Sequence, residues 1–230
     1  MDNFFLMGDL PFGTYGLIAA VIIAVVRYFF FDRPDEQEAE AVVKKNYQRE
    51  VKRVISEREK RKIGDFTMPE EAFWELIENT KKRARESYKH QCGLLKDTFA
   101  TMELDVMLAF QGTYLTQINR ANTYKVAGAF YIISNSTAFH SFDHFQEWLL
   151  SKGQVYFNNY IENPEWIANA RFEGLDGEGI YNALAETYFA KTSKLLPEVE
   201  DYQPELRGEK IDERQVADMF PKLWEKFLVN

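Results

Sequence analysis

The sequence predicts an all-α protein, in which a compact helical domain is preceded by one transmembrane helix and a charged linker helix. Three observations favour this fold class. A nearly uncharged apolar run lies close to the N-terminus, and several later segments repeat apolar residues at helical spacing. No convincing alternating strand pattern or hairpin dipeptide occurs. The predicted divisions are a tail at 1–9, the transmembrane helix at 10–31, the linker helix at 32–65 and the helical domain at 66–230.

Composition and charge limit the possible functions. Of the 230 residues 46% are hydrophobic and 15% aromatic, which is enough for a packed core. The formal net charge of −8 disfavours a nucleic-acid partner, because such binding rests on neutralising phosphates. The single cysteine, Cys92, excludes an intrachain disulfide and fits a reducing compartment.

Residues 10–31 have the length and composition of a membrane-spanning helix. These 22 residues contain one charge, Arg27, and would span roughly 30 Å at 1.5 Å per residue. Arg27, Tyr28, Phe29 and Phe30 are predicted to lie at the membrane interface, where basic and aromatic side chains concentrate. The alternatives are a cleaved signal peptide, which the acidic N-terminus argues against, and a buried core helix.

The distribution of basic residues predicts the orientation. The first 16 residues contain no Lys or Arg, whereas Arg27, Arg33, Lys44, Lys45 and Arg49 follow. By the positive-inside rule, the N-terminus lies outside and the C-terminal domain is cytoplasmic.

Residues 35–62 contain neither Gly nor Pro and predict the linker helix, with acidic residues at its start and basic residues at its end. A narrow apolar stripe runs along it, formed by Val43, Tyr47, Val51, Val54 and Ile55. The stripe either docks on a partner or forms a short coiled coil, or the helix is a solvated spacer of about 40 Å.

The domain is predicted to begin with a helix capped by Thr67, whose apolar face carries Phe73, Trp74, Leu76 and Ile77. The basic cluster that follows consists of Lys81, Lys82, Arg83 and Arg85. It could contact lipid headgroups or a partner, or form a solvated helix face. Residues 94–118 read as one further helix.

Residues 136–150 form the most distinctive segment. At helical spacing, Phe139, Phe142, Phe145 and Leu149 form a core stripe. The opposite face carries His140, Asp143, His144 and Glu147. His140 and His144 are four residues apart and Glu147 is one turn further, a set that could bind zinc or iron. The alternative is a polar, solvated face with no metal.

The chain lacks the short motifs that mark common catalytic and cofactor sites. It has no Walker A loop, GxGxxG, GxSxG, CxxC or HExxH sequence, and only three histidines. The sequence therefore predicts no cofactor and favours a protein without catalysis.

Four short motifs carry a resemblance to a known family. They are Phe73-Trp-Glu-Leu-Ile77, Phe142-x-x-Phe145-x-x-Trp-Leu-Leu150-x-x-Gly153, Asn163-Pro-Glu-x-Ile167-Ala and Phe220-Pro-Lys-Leu-Trp224. In order and spacing they resemble the bacterial domain of unknown function 4240, over about residues 68–230. The resemblance implies a compact, mainly helical domain and supplies no known reaction.

Two departures from the family pattern affect any shared activity. Residues 138–142 read Ala-Phe-His-Ser-Phe where the family has Ser-Asp-Asp-Gly-Phe, and Gln146 stands where Arg is usual. If those acids or that Arg carry an activity, it is lost or changed in this chain.

Together these features predict a membrane-anchored cytoplasmic protein that binds another protein, as an adaptor, a complex subunit or an immunity-like protein. Its partners would be the lipid bilayer, through residues 10–31, and a protein. The alternative is a metal-binding enzyme or ligand sensor that uses His140, His144 and Glu147.

Overall fold

The computed structural model describes residues 60–62, 64, 66–134, 141–170, 172, 179–200, 202 and 205–229. The predicted transmembrane helix, its interface residues Arg27, Tyr28, Phe29 and Phe30, and nearly all of the linker helix lie outside this part of the chain. Among the described residues, no helix is long and apolar enough to cross a membrane.

The described residues confirm the all-α class, since they form nine α-helices. The helices are α1 Glu70–Ala84, α2 Tyr88–Thr101, α3 Leu104–Ala121, α4 Tyr124–Ser134, α5 Phe142–Ser151, α6 Gln154–Glu162, α7 Ile180–Thr192, α8 Glu213–Met219 and α9 Pro221–Trp224. A 3₁₀ helix covers Pro164–Asn169 and a π-helical turn covers Glu225–Val229.

Two short strands, β1 Lys60–Arg61 and β2 Glu198–Val199, form a two-stranded sheet. The sequence predicted a helix through Lys60 and Arg61, so their extended conformation differs from the prediction. Their backbones pair with β2, which comes from far along the chain and could not be inferred from the local pattern.

The chain divides into two compact units. Of the described residues, the larger unit contains those within Arg61–Leu184 and Val199–Asn230, and the smaller contains Lys60 and those within Ala185–Glu198. In the smaller unit, the end of α7 is closed by local bonds: the Thr192 hydroxyl donates to the Tyr188 carbonyl at 2.7 Å. Ser193 follows with a φ of 55°, the left-handed conformation common after a helix.

The core of the larger unit is aromatic. Phe110 lies at its centre, with ring centroids 5.0 Å from Phe73, 4.9 Å from Phe99 and 6.4 Å from Tyr114. These four side chains come from α1, α2 and α3 and are at most 1% exposed. Rings at these distances gain packing energy beyond the burial of their area.

Three of the four residues on the predicted apolar face of α1 are buried, namely Phe73, Trp74 and Ile77, and Leu76 is half-buried. The predicted Thr67 cap is wrong: the helix begins at Glu70, with Pro69 before it and no side-chain cap. Pro69 occupies the N-cap position with an extended backbone, and its carbonyl accepts the Phe73 backbone N–H at 3.1 Å.

Gly153 offers a direct test of backbone strain. It precedes α6 with a φ of 93°, and a Cβ at this position would overlap the Glu78 carboxylate. We expect Gly153→Ala to lower the free energy of unfolding by about 1–3 kcal/mol, because its φ of 93° and ψ of 170° lie in a region that essentially only glycine adopts.

Gly93 is the matched control for that substitution. It lies inside α2, and apart from its chain neighbours and the adjacent helix backbone no atom lies within 4 Å of the position its Cβ would take. Gly93→Ala should therefore raise the free energy of unfolding by about 0.5–1 kcal/mol. Urea titrations of both variants check the pair; equal effects of the same sign would contradict the assignment of strain to Gly153.

Candidate binding groove and a buried glutamate cluster

A groove of about 730 Å³ opens on the larger unit, and we call it the Trp166 groove. Its walls come from α6, from the 3₁₀ helix and from the C-terminal segment that contains α9 and the π-helical turn. It is lined by Tyr156, Asn163, Glu165, Trp166, Ala168, Ala170, Lys222, Glu225 and Lys226.

The first wall follows from the start of the 3₁₀ helix. The Asn163 side chain accepts a hydrogen bond from the Glu165 backbone N–H at 3.3 Å, and Pro164 occupies the first position. Ile167 is fully buried, so the helix is fixed with Trp166 facing outward and 45% exposed. The indole lies edge-on to the Tyr156 ring, with centroids 4.7 Å apart.

The second wall is attached to the first by two hydrogen bonds. The Lys222 backbone N–H donates to Glu165 Oε1 at 2.7 Å, and Lys226 Nζ donates to the Ala168 carbonyl. Phe220 and Leu223 are buried and hold this segment against the core. Both walls therefore keep fixed positions on either side of the groove.

The lining combines aromatic surface with polar and charged groups. Burial raises the pKa of the Tyr156 hydroxyl above its ordinary value, so this group remains a neutral donor at physiological pH. The Lys222 ammonium makes no hydrogen bond or ion pair with any described residue. Such a mixture is typical of a site that binds a ligand, and its volume lies within the usual range for one.

A second feature of the larger unit is the Glu147 cluster, which consists of Glu147, Tyr88, Tyr114 and Tyr181. Glu147 on α5 is 3% exposed. Its Oε1 accepts the Tyr114 hydroxyl at 2.6 Å and the Tyr181 backbone N–H at 3.0 Å, and its Oε2 accepts the Tyr88 hydroxyl at 3.3 Å. One carboxylate thus connects α2, α3, α5 and α7.

The surroundings of the Glu147 cluster continue this polar network. The Gln111 amide on α3 donates to the Tyr181 hydroxyl at 3.2 Å. Gly179 lies so close to Glu147 Oε2 that a Cβ at this position would overlap the carboxylate. The chain therefore requires glycine where it passes the carboxylate.

Burial dominates the electrostatics of the cluster. Removal from water raises the pKa of Glu147, and the nearby Asp143 raises it further, although the three hydrogen bonds act in the opposite direction. Burial, and then the Glu147 charge, raise the pKa values of Tyr88 and Tyr114. Both hydroxyls therefore stay protonated and keep donating to the carboxylate.

A family model described as "Protein of unknown function (DUF4240)" matches residues 68–191, over half of the chain. The chain belongs to the DUF4240 family. This confirms the resemblance seen in the sequence motifs. No curated protein and no solved structure matches the chain.

The DUF4240 match contains all of the Glu147 cluster and one wall of the Trp166 groove. The sequence motifs suggested a resemblance through residue 230, but the match ends at residue 191. Lys222 and Lys226, in the second wall, therefore lie beyond the segment that the DUF4240 model covers.

The three residues predicted as metal ligands in this DUF4240 chain have separate outcomes in the structure. His140 lies outside the described residues, and His144 is half-buried, with its ring centroid 5.8 Å from that of Tyr88. Glu147 was predicted on a polar, solvated face or in a metal site, but it is buried and both of its oxygens accept hydrogen bonds. The described residues contain no group of three or more His, Cys, Asp or Glu side chains that could hold a metal ion.

The four residues of the predicted basic cluster differ in their contacts and exposure. The Lys81 ammonium is engaged within the domain: its Nζ donates to the Lys152 carbonyl at 2.9 Å and forms an ion pair with Glu78 at 3.1 Å. Lys82, Arg83 and Arg85 are exposed at the C-terminal end of α1, where cations complement the helix dipole. Three cations thus remain accessible to a lipid or partner.

The groove was not predicted. Asn163-Pro-Glu and Phe220-Pro-Lys belong to the motifs that carry the family resemblance, and both start helical segments. Nothing in the local pattern indicated that two segments more than 50 residues apart would face each other.

Proposed function

We propose that this chain is a membrane-anchored cytoplasmic protein that binds a partner protein, as an adaptor, complex subunit or immunity-like protein, and takes a segment of that partner into the Trp166 groove. The observation that supports this most is the Trp166 indole, 45% exposed beside Tyr156 within a groove of about 730 Å³. Tryptophan and tyrosine in concave sites supply much of the binding energy of protein interfaces.

The anchor is the second part of the proposal. Residues 10–31 carry one charge, and Lys and Arg are concentrated after them. Such a segment would fix the domain to the cytoplasmic face of a bilayer, and a linker helix would hold it up to about 40 Å away. The groove would then meet partners that are themselves at the membrane.

The test is quantitative affinity purification of the full-length chain from detergent-solubilised membranes. We expect the wild type to be recovered from the membrane fraction with a stoichiometric partner. Trp166→Ala should reduce recovery of that same partner at least tenfold, since loss of a central aromatic contact typically costs about 2 kcal/mol or more.

Phe189→Ala is the matched control, because Phe189 is also 43% exposed but lies outside the groove, in the smaller unit. It should leave partner recovery unchanged. Thermal unfolding of both variants checks that they fold. A folded Trp166→Ala variant that keeps its partner would contradict docking in the groove, and recovery of the wild type in the soluble fraction would contradict the anchor.

A further inference from the structure

Resting on the proposed function, we infer that the segment bound in the Trp166 groove is an acidic peptide, in which a carboxylate lies next to an apolar side chain. Lys222 contacts the carboxylate, and Trp166 with Tyr156 contacts the apolar side chain. The inference follows from how the charged groups of the lining are already engaged.

The lining holds two lysines and two glutamates, so the number of charges gives no preference. The interactions that these groups already make within the protein do give a preference. Glu165 already accepts the Lys222 backbone N–H at 2.7 Å, and Glu225 also has an interaction within the fold. Lys226 already donates to the Ala168 carbonyl.

Lys222 is the remaining cation of the groove. Its side chain is exposed and its ammonium has no partner among the described residues. A carboxylate at the mouth of the groove would give this ammonium an opposite charge, whereas a basic peptide would bring like charges together.

The aromatic wall determines what accompanies the carboxylate. Trp166 and Tyr156 place two ring surfaces a few ångströms apart within the same groove as Lys222. An aliphatic or aromatic side chain can cover the exposed part of the indole and remove it from water. Acidic residues without an apolar neighbour would leave this surface uncovered.

The experiment selects peptides on the full-length protein in detergent micelles, with a phage-displayed library of random heptapeptides as the probe. We expect the wild type to enrich peptides with Asp or Glu adjacent to an aliphatic or aromatic residue. A synthetic peptide of the enriched sequence should bind with an affinity that falls as salt is raised.

Two charge reversals locate the effect. Lys222→Glu should weaken the synthetic peptide at least fivefold and abolish the acidic enrichment, because it replaces an attraction by a repulsion. Lys82→Glu is the matched control, since Lys82 is exposed on α1 and lies outside the groove lining; it should preserve both affinity and enrichment. Thermal unfolding checks the fold of each variant.

The possible results separate this inference from the proposed function. Neutral or basic peptides that require Trp166 would overturn the acidic ligand and leave groove binding in place. Acidic peptides that bind equally to the wild type and Lys222→Glu would also overturn it. If no selected peptide depends on Trp166, both the acidic ligand and binding in the groove are overturned.

Discussion

Replacement of Glu147 by leucine is expected to lower the free energy of unfolding by about 3 kcal/mol, because it removes the common acceptor of three buried donors. The hydroxyls of Tyr88 and Tyr114 and the Tyr181 N–H would each remain buried without that partner. An unsatisfied buried donor costs about 1–3 kcal/mol, and the apolar burial of leucine offsets part of the total.

Urea unfolding of the full-length protein measures this loss, and Glu147→Gln is its control. Glutamine keeps the shape of the side chain and an oxygen acceptor, so its effect should stay within about 1 kcal/mol. If Glu147→Leu were as stable as the wild type, the cluster would not stabilise the fold through its hydrogen bonds.

Comparing the wild type with Glu147→Gln at different pH values also tests the direction of the Glu147 pKa shift. The native pKa is raised above the ordinary value of 4.5, so the native state binds the proton more tightly than the unfolded state. The contribution of this carboxyl is therefore fully present below pH 4.5 and is lost as pH rises through the native pKa. Wild-type stability should fall relative to Glu147→Gln over this interval; a difference independent of pH would contradict a raised pKa.

Phe110→Ala is expected to have the second large effect, a loss of about 3–5 kcal/mol in the free energy of unfolding. Phe110 is 0% exposed and has the rings of Phe73 and Phe99 within 5.0 Å, measured between centroids. Truncation would leave a cavity bordered by three helices, each fixed by its own packing. Such a cavity can collapse only in part, so the lost contacts are not replaced.

Chemical denaturation measures the effect of Phe110→Ala, with Phe66→Ala as the control. Phe66 is 44% exposed, and its truncation should cost less than about 1 kcal/mol. Phe110→Leu should give an intermediate loss, because more of the volume is kept. A loss below 1 kcal/mol for Phe110→Ala would show that the aromatic core can repack around the cavity.

The sequence predicted the faces of single helices well and their assembly poorly. Phe73, Trp74 and Ile77 were placed correctly because one helix period determines which side chains share a face. The same reasoning put Glu147 opposite the aromatic stripe of α5, where a solvated position was favoured. Its burial depends on Tyr88, Tyr114 and Tyr181, which are 33–59 residues away in the chain.

Two further differences have the same origin. Residues 94–118 read as one helix, but α2 ends at Thr101 and α3 begins at Leu104. Met102 and Glu103 have extended backbones there, without the Gly or Pro that usually marks such a break in a sequence. The Trp166 groove likewise depends on segments brought together by folding, which a pattern of period 3.6 does not encode.

One of the two hydrogen bonds that join the walls of the groove does not depend on the side chain of its donor residue. Glu165 holds the second wall through the backbone N–H of residue 222, a group present in every amino acid except proline. The identity of the side chain at this position is therefore free to vary while the width of the groove stays the same. Evolution or protein engineering could thus exchange Lys222 for an acidic, neutral or aromatic residue and redirect the groove to a new partner without rebuilding the scaffold.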